Sequence, residues 1–275
     1  MNYQKPESFV LIAGNGVYPK LLAESAKNQG TKRIVAIAFR GETDSVIEKF
    51  ADETKWIYLG QLGKMLDALK ESGIKHAIMA GQITPTHLFR IRMDTKMLQL
   101  LCRLKVKNAE TIFGAVADEL KSMGIELLPA SLFMEPYMPA PGLLSNREPT
   151  DDESKDIELG IKAAKLTSSL DIGQTVVIKN GTILAVEAFE GTNETIKRAA
   201  DLGGEGIVIV KVAKHGHDMR FDIPVVGMHT LKLLKKIKAS VLAIEANRSI
   251  ILERELLVQE ANKFNLCILA FETTH

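Results

Sequence analysis

Lys211, Lys214, His215, His217, Asp218, Arg220 and Asp222 crowd into one short stretch, KVAKHGHDMRFDIP. Upstream, Glu187 and Glu190 stand just before Gly191-Thr192-Asn193. Cations of this density neutralise charge that builds on phosphoryl oxygens, and a carboxylate among them binds a metal or orients water. The residue before Pro224 is pushed towards an extended backbone. Alternation along MRFDIP then puts Asp218, Arg220 and Asp222 on one side, with Phe221 and Ile223 opposite. The two apolar residues imply a half-buried strand rather than a solvated ion-pair strip, whose pairs contribute only about 0–1 kcal/mol. Glu187 and Glu190 together suit a divalent cation, which prefers oxygen ligands. Glu190 alone would serve the dipole of the following helix. His215 and His217 flank a glycine without the HxxxH or HExxH spacing of zinc enzymes, so they read as loop residues.

A second group of candidates lies at glycine turns. Gly14-Asn15-Gly16 follows an apolar run and precedes a helical one, where backbone amides favour phosphate. It is not the dinucleotide fingerprint, because Tyr18 and Pro19 stand where its third glycine belongs. Arg40-Gly41, not an acid, ends the second apolar run, so NAD is disfavoured. Gly81-Gln82 ends the fourth run, at the strand end where ligands of open α/β sheets collect. Gln174 heads a hairpin and is a candidate polar contact. GxSxG, CxxC and GxxxxGK[ST] are all missing from the sequence, so nucleophilic serine or cysteine chemistry and a P-loop have no support.

The elements that must carry these residues are legible in the periodicity. Strands are expected at Ser8–Ala13, Ile34–Phe39, Trp56–Leu59, His76–Ala80 and Ile125–Leu128. Helices are expected at Pro19–Gln29, Val46–Phe50 and Gly63–Ser72, and through most of Pro85–Gly124. Short connections between alternating strands and helices make a mostly parallel, doubly wound sheet. Five prolines between Pro129 and Pro149, with Gly142, place a linker at 138–150, leaving domains at 1–137 and 151–275. The second domain opens with a helix, Asp151–Ser168, capped by Thr150 or Asp151. Asn180-Gly181 joins Gln174–Lys179 to Thr182–Glu187 as a hairpin. A helix over Thr192–Asp201, a strand over Gly206–Lys211 and further short strands and helices complete a mixed α/β domain. Leu88, Phe89, Met93, Met97 and Leu98 form an apolar helical stretch that suits core packing or an acyl groove.

The chain has 275 residues and a formal net charge of +1. No global field therefore attracts nucleic acid. Cys102 and Cys267 sit in apolar runs and read as buried thiols of a reducing compartment. The N-terminus lacks the apolar core of a signal peptide, and no apolar run approaches the ~20 residues of a membrane span. A cytoplasmic protein is expected.

Taken in order, LIAGNG-x-x-P, DIGQ-x-VVI-x-NG-x-ILAVEA-x-EGT, KRAADL and the lysine pair before RFDIP-x-VG resemble a known family. It is the UDP-2,3-diacylglucosamine pyrophosphatase of lipid A biosynthesis, of the type unrelated to calcineurin-like phosphoesterases. The resemblance covers nearly the whole chain. It implies a homodimer with an N-terminal Rossmann-like domain and a C-terminal α/β domain, possessing Mg²⁺-dependent activity. UDP-2,3-diacylglucosamine would be cleaved to UMP and 2,3-diacylglucosamine 1-phosphate, with peripheral contact at the inner membrane to reach the lipid. The family's essential aspartate, in its RxDxP segment, matches Asp222. On this reading Asp222, Lys211, Lys214 and Arg220 are catalytic, and Asp222, Glu187 and Glu190 hold the metal. Gly14, Asn15, Gly16, Gly81, Gln82, Gln174, Gly191 and Thr192 bind substrate. Many relatives read EGTD where this chain has Glu190-Gly191-Thr192-Asn193. The rival expectation is a nucleotide-sugar sensor that binds without turnover.

Overall fold

Runs such as FVLIA and IVAIAF are apolar at every position, so they need cover on both faces. In the computed structural model, which describes residues 3–83, 93–106, 109–170, 172–214, 220 and 223–273, helices supply that cover. Strands β1 (Ser8–Ala13), β2 (Arg33–Phe39), β3 (Glu53–Ile57), β4 (His76–Ala80) and β5 (Glu126–Leu128) form a five-stranded sheet. Its order is β3-β2-β1-β4-β5, with every pairing parallel. Helices α1 (Tyr18–Asn28), α2 (Leu62–Ser72), α3 (Thr95–Arg103) and α4 (Ala109–Ser122) accompany it.

Val10, Ile12, Val35 and Ile37 on one sheet face pack with Leu69 of α2, Leu100 of α3 and Leu120 of α4. Each fully buried side chain of this size contributes roughly 1.5–3 kcal/mol. Helix α1 lies against β1 and β4. Phe9 stacks on Phe133 with ring centroids 5.6 Å apart. Strand β3 begins three residues earlier than the apolar reading places it. It is an edge strand, and its Glu53, Thr54 and Lys55 need no buried environment. Cys102 is exposed, because the amphipathic α3 turns Leu100 inward and Cys102 outward. Cys267 is buried, and burial pushes its thiol up to about 11. Among the described residues, no helix is long and apolar enough to cross a membrane.

The chain divides into two units: residues up to Met134 together with Arg220, and the described residues from Glu135 onward apart from Arg220. Residues 138–150, expected as a linker, make contacts within the second unit. Gly142–Leu143 (β6) pairs antiparallel with Cys267–Phe271, and Ser145 Oγ accepts from Ile268 N at 2.7 Å. Proline and glycine marked irregular backbone there, and irregular backbone can still be packed.

The second unit holds a six-stranded mixed sheet, completed by β7 (Thr175–Lys179), β8 (Thr182–Val186), β9 (Val208–Lys211), β11 (Val241–Glu245) and β13 (Cys267–Phe271). Its order is β6-β13-β11-β9-β7-β8, with β9, β11 and β13 parallel. A two-stranded parallel pair, β10 (Val225–Val226) with β12 (Ile250–Ile251), stands apart. Helix α5 (Asp151–Ser169) covers one face through Ile157 and Ala164. Helices α6 (Thr192–Gly203), α7 (Met228–Lys236) and α8 (Arg254–Asn262) cover the other through Ile196, Leu234 and Leu257.

Thr150 and Glu153 form a reciprocal capping box that starts α5. Asn180 and Gly181 both have positive φ, 50° and 73°, as a two-residue hairpin turn of the strand-matching hand requires. The buried Asp156 of α5 accepts both turn amides, Asn180 N at 2.8 Å and Gly181 N at 2.6 Å. The turn is thus tied to the helix beneath it.

Candidate functional site

In the first unit the order of strands reverses between β1 and β4, and both strands end in candidate residues. The structure brings these ends together. Gly14 N donates to Ala80 O at 2.7 Å, Asn15 N to Gln82 O at 2.6 Å, and Gln82 N to Asn15 O at 3.0 Å. Asn15 and Gln82 thereby form an antiparallel bridge between segments far apart in sequence. Asn15, Gly16, Gly81 and Gln82 are exposed at this lip.

The glycines have different reasons to be there. A Cβ on Gly14 would lie 2.5 Å from Gln82 O, and one on Gly81 would lie 2.7 Å from Asn15 O. Gly81 also has φ +92°. Gly16, at φ +91°, would meet nothing within 4 Å. Gly14→Ala is expected to cost about 1–3 kcal/mol of stability through backbone overpacking, and Gly81→Ala at least as much. Gly16→Ala carries only φ strain, about 1 kcal/mol. Urea unfolding of the three variants checks the order, and a Gly14→Ala midpoint equal to wild type contradicts it.

Arg40 is exposed at the C-terminal end of β2, where its amide donates to Ile57 O at 2.8 Å. Met97 packs on the core of this unit, whereas Leu98 is exposed. Leu88 and Phe89 lie outside the described residues.

In the second unit one end of the sheet collects most of the remaining candidates. Register pairs Thr175, at the start of β7, with Lys211, at the end of β9. Ile244 pairs with the same lysine, which places Glu245 one residue beyond. Lys211 and Glu187 are both only 7% exposed. Lys211 Nζ donates to Thr192 Oγ1 at 3.1 Å and to Val225 O at 3.4 Å. Thr192 Oγ1 in turn donates to Glu187 Oε1 at 3.0 Å, and Thr175 Oγ1 lies 3.3 Å from it. Gln174 N donates to Glu187 Oε2 at 3.4 Å. Gln174 Oε1 is buried without a hydrogen-bond partner among the described residues. Gly173 lets the chain pass here, since a Cβ would lie 2.1 Å from Glu187 O.

Thr192 opens α6, whose N-cap is Gly191 at φ +82° with no side-chain cap. Helix α7 starts at Gly227, also with no side-chain cap. The two N-termini adjoin: Asn193 Nδ2 lies 2.8 Å from His229 Nδ1, and Thr230 Oγ1 donates to Asn193 Oδ1 at 3.4 Å. A lysine beside helix N-termini adds to their partial positive charge, which is unfavourable with the site empty. Such an arrangement favours an anion, and a phosphate is the ordinary occupant.

Glu190 stands apart from this cluster. Its Oε1 accepts from Arg198 at 2.6 Å and from Thr195 Oγ1 at 3.2 Å, and its Oε2 accepts from Ala188 N at 3.2 Å. The Arg198 guanidinium holds its carboxyl below the usual range. Glu187 and Glu190 therefore take separate partners, and Glu190 serves the first turn of α6. Among the described residues, no group of three His, Cys, Asp or Glu side chains is placed to hold a metal. Lys214 and Arg220 are half-buried. His215, His217, Asp218 and Asp222 lie outside the described residues.

Sequence reasoning missed Thr175, His229 and a buried ion pair at the same sheet end, between Lys165 of α5 and Glu245. The signal for Glu245 was an acid closing the otherwise apolar strand VLAIE. Burial pushes its carboxyl up, but hydrogen bonds from Lys165, Thr273 and the Ala213 amide outweigh that and hold it below the usual range.

Comparison with known proteins covers both units. Residues 8–137 match the LpxI N-terminal domain and residues 140–269 the LpxI C-terminal domain. The UDP-2,3-diacylglucosamine pyrophosphatase LpxI of Caulobacter vibrioides is 27% identical over 274 residues, covering 95% of this chain and 96% of that protein. Among solved structures, N5-carboxyaminoimidazole synthetase from Staphylococcus aureus aligns at 17% identity and TM-score 0.25, over 72% of this chain and 46% of that one. The biotin carboxylase domain of Hydrogenobacter thermophilus 2-oxoglutarate carboxylase aligns at 14% identity and TM-score 0.27, over 72% and 41%. This chain spans less than half of either, and likenesses at this level carry no argument.

Proposed function

Because the chain belongs to the LpxI family, we propose that it hydrolyses the pyrophosphate of UDP-2,3-diacylglucosamine to UMP and 2,3-diacylglucosamine 1-phosphate, in lipid A synthesis. The observation that carries the reading is the buried Lys211–Thr192–Glu187 chain at two adjoining helix N-termini, in a protein matched to the family in both units. That arrangement supports binding of a diphosphate. Lys211 would hold phosphoryl oxygens, with Lys214 and Arg220 as further cations from the same stretch of chain. Glu187 orients the Thr192 hydroxyl by accepting its hydrogen bond, which leaves the Thr192 oxygen to accept from Lys211. Gln174, Gly191 and Thr192 would contact the substrate around this anion site. The first unit, whose parallel order reverses at β1 and β4, would be the Rossmann-like nucleotide-binding domain. Gly14, Asn15, Gly16, Gly81 and Gln82 form the lip to which a nucleotide would bind.

Mg²⁺ belongs to the same proposal. With Glu190 held by Arg198, the carboxylates for it would be Asp222 and Glu187. Bound there, it would offset charge on the phosphoryl group. A homodimer in the cytoplasm, in peripheral contact with the membrane that carries the acylated substrate, completes the reading.

Purified protein with Mg²⁺ is expected to release UMP from UDP-2,3-diacylglucosamine. EDTA should abolish release, and added Mg²⁺ should restore it. Binding without UMP release would favour the sensor and overturn the assignment.

A further inference from the structure

The sheet ladder ends at Val212, whose amide donates to Gln174 O at 2.9 Å. The next residue is held differently. Ala213 N donates to Glu245 Oε2 at 2.7 Å, and Ala213 O accepts from Lys165 Nζ at 3.1 Å. Lys165 Nζ also reaches both Glu245 oxygens, at 2.8 and 2.7 Å. Thr273 Oγ1 donates to Glu245 Oε1 at 2.8 Å, and Arg248 lies 3.8 Å from the same oxygen. Both backbone polar groups of Ala213 are thus taken by one ion pair, whose acid is 1% exposed. Lys211, two residues earlier, faces Thr192, and Lys214 follows directly.

A buried ion pair is a poor way to gain stability, since apolar residues of the same volume often serve as well or better. What this pair adds is direction. It fixes the Ala213 peptide, between Lys211 and Lys214. We propose that Lys165 and Glu245 are positioning residues for hydrolysis, acting through Ala213 on the lysines at either side of it, Lys211 and Lys214. The proposal rests on the pyrophosphatase reading above.

Two disruptive variants test it, with Lys165→Arg as the conservative control. Lys165→Met breaks the pair and leaves Glu245 buried without its main partner. The double variant Lys165→Met/Glu245→Leu removes both charges and fills the space with apolar groups, which should restore folding but not the hold on Ala213. In the double variant kcat for UMP release is expected to fall about 10- to 100-fold, the scale of a small misplacement at a reacting centre. KM should stay within about threefold. Amide hydrogen exchange at Ala213 should accelerate, and Lys165→Arg should retain most of kcat. A folded double variant with wild-type kcat overturns the positioning role. So does unchanged exchange at Ala213. Failure of both variants to fold assigns the pair to stability alone and also overturns it. Wild-type protein that releases no UMP refutes the reaction itself, which separates that failure from this one.

Discussion

Lys211→Met is expected to lower kcat for UMP release by about 10²- to 10³-fold, the usual effect of removing one preorganised charge-stabilising donor. The ammonium is buried at the end of β9, where burial in a low dielectric strengthens its field. It hydrogen-bonds Thr192 at the uncapped start of α6, so it adds to a helix terminus that already favours anions. Methionine keeps the length and apolar stem of the side chain and removes only the charge. The fold should survive, because a cation in this setting opposes the helix dipole and gains little for stability by itself. Single-turnover kinetics with a melting curve on the same preparation checks both halves. Activity within threefold of wild type would remove Lys211 from the site.

Asp222→Ala is expected to bind the acylated UDP-sugar and release essentially no UMP, a loss of about 10³- to 10⁴-fold. In the sequence Asp222 stands two residues from Arg220, in a stretch that supplies more cations than carboxylates. A carboxylate among cations is the kind of group that serves a metal or a water in phosphoryl transfer. Asp222 would orient water or hold Mg²⁺ against a diphosphate. Equilibrium binding measured beside turnover distinguishes this role from a lost binding contact. Wild-type rates in the variant would sink the assignment, whatever the binding result.

The two predictions differ in where their support comes from. The Asp222 prediction rests on residue type, spacing and family resemblance. Lys211 was one cation among several in the sequence, and the structure singles it out by burying it against Thr192 and Val225. Glu190 moved the opposite way. In sequence it paired with Glu187; in the structure Arg198, one helical turn or two further along, takes its carboxylate. A helix brings residues several positions apart onto one face, whereas adjacency in sequence says little about shared partners.

Local rules settled much of the fold. Apolar runs of strand length, amphipathic helices, the Thr150–Glu153 cap and the Asn180-Gly181 turn depend on residues within a few positions of each other. Their free energy is local, so the amino-acid sequence by itself determined these elements and the α/β class. Tertiary structure alone decided which distant residues meet. It bridged Asn15 to Gln82 and packed Gly81 against Asn15, put the Glu187 carboxylate on Thr192, and closed the Lys165–Glu245 pair around Ala213. Those contacts follow from strand order and register, which are set by burying two sheets' worth of apolar surface at once. No local pattern in the chain records that cooperative choice.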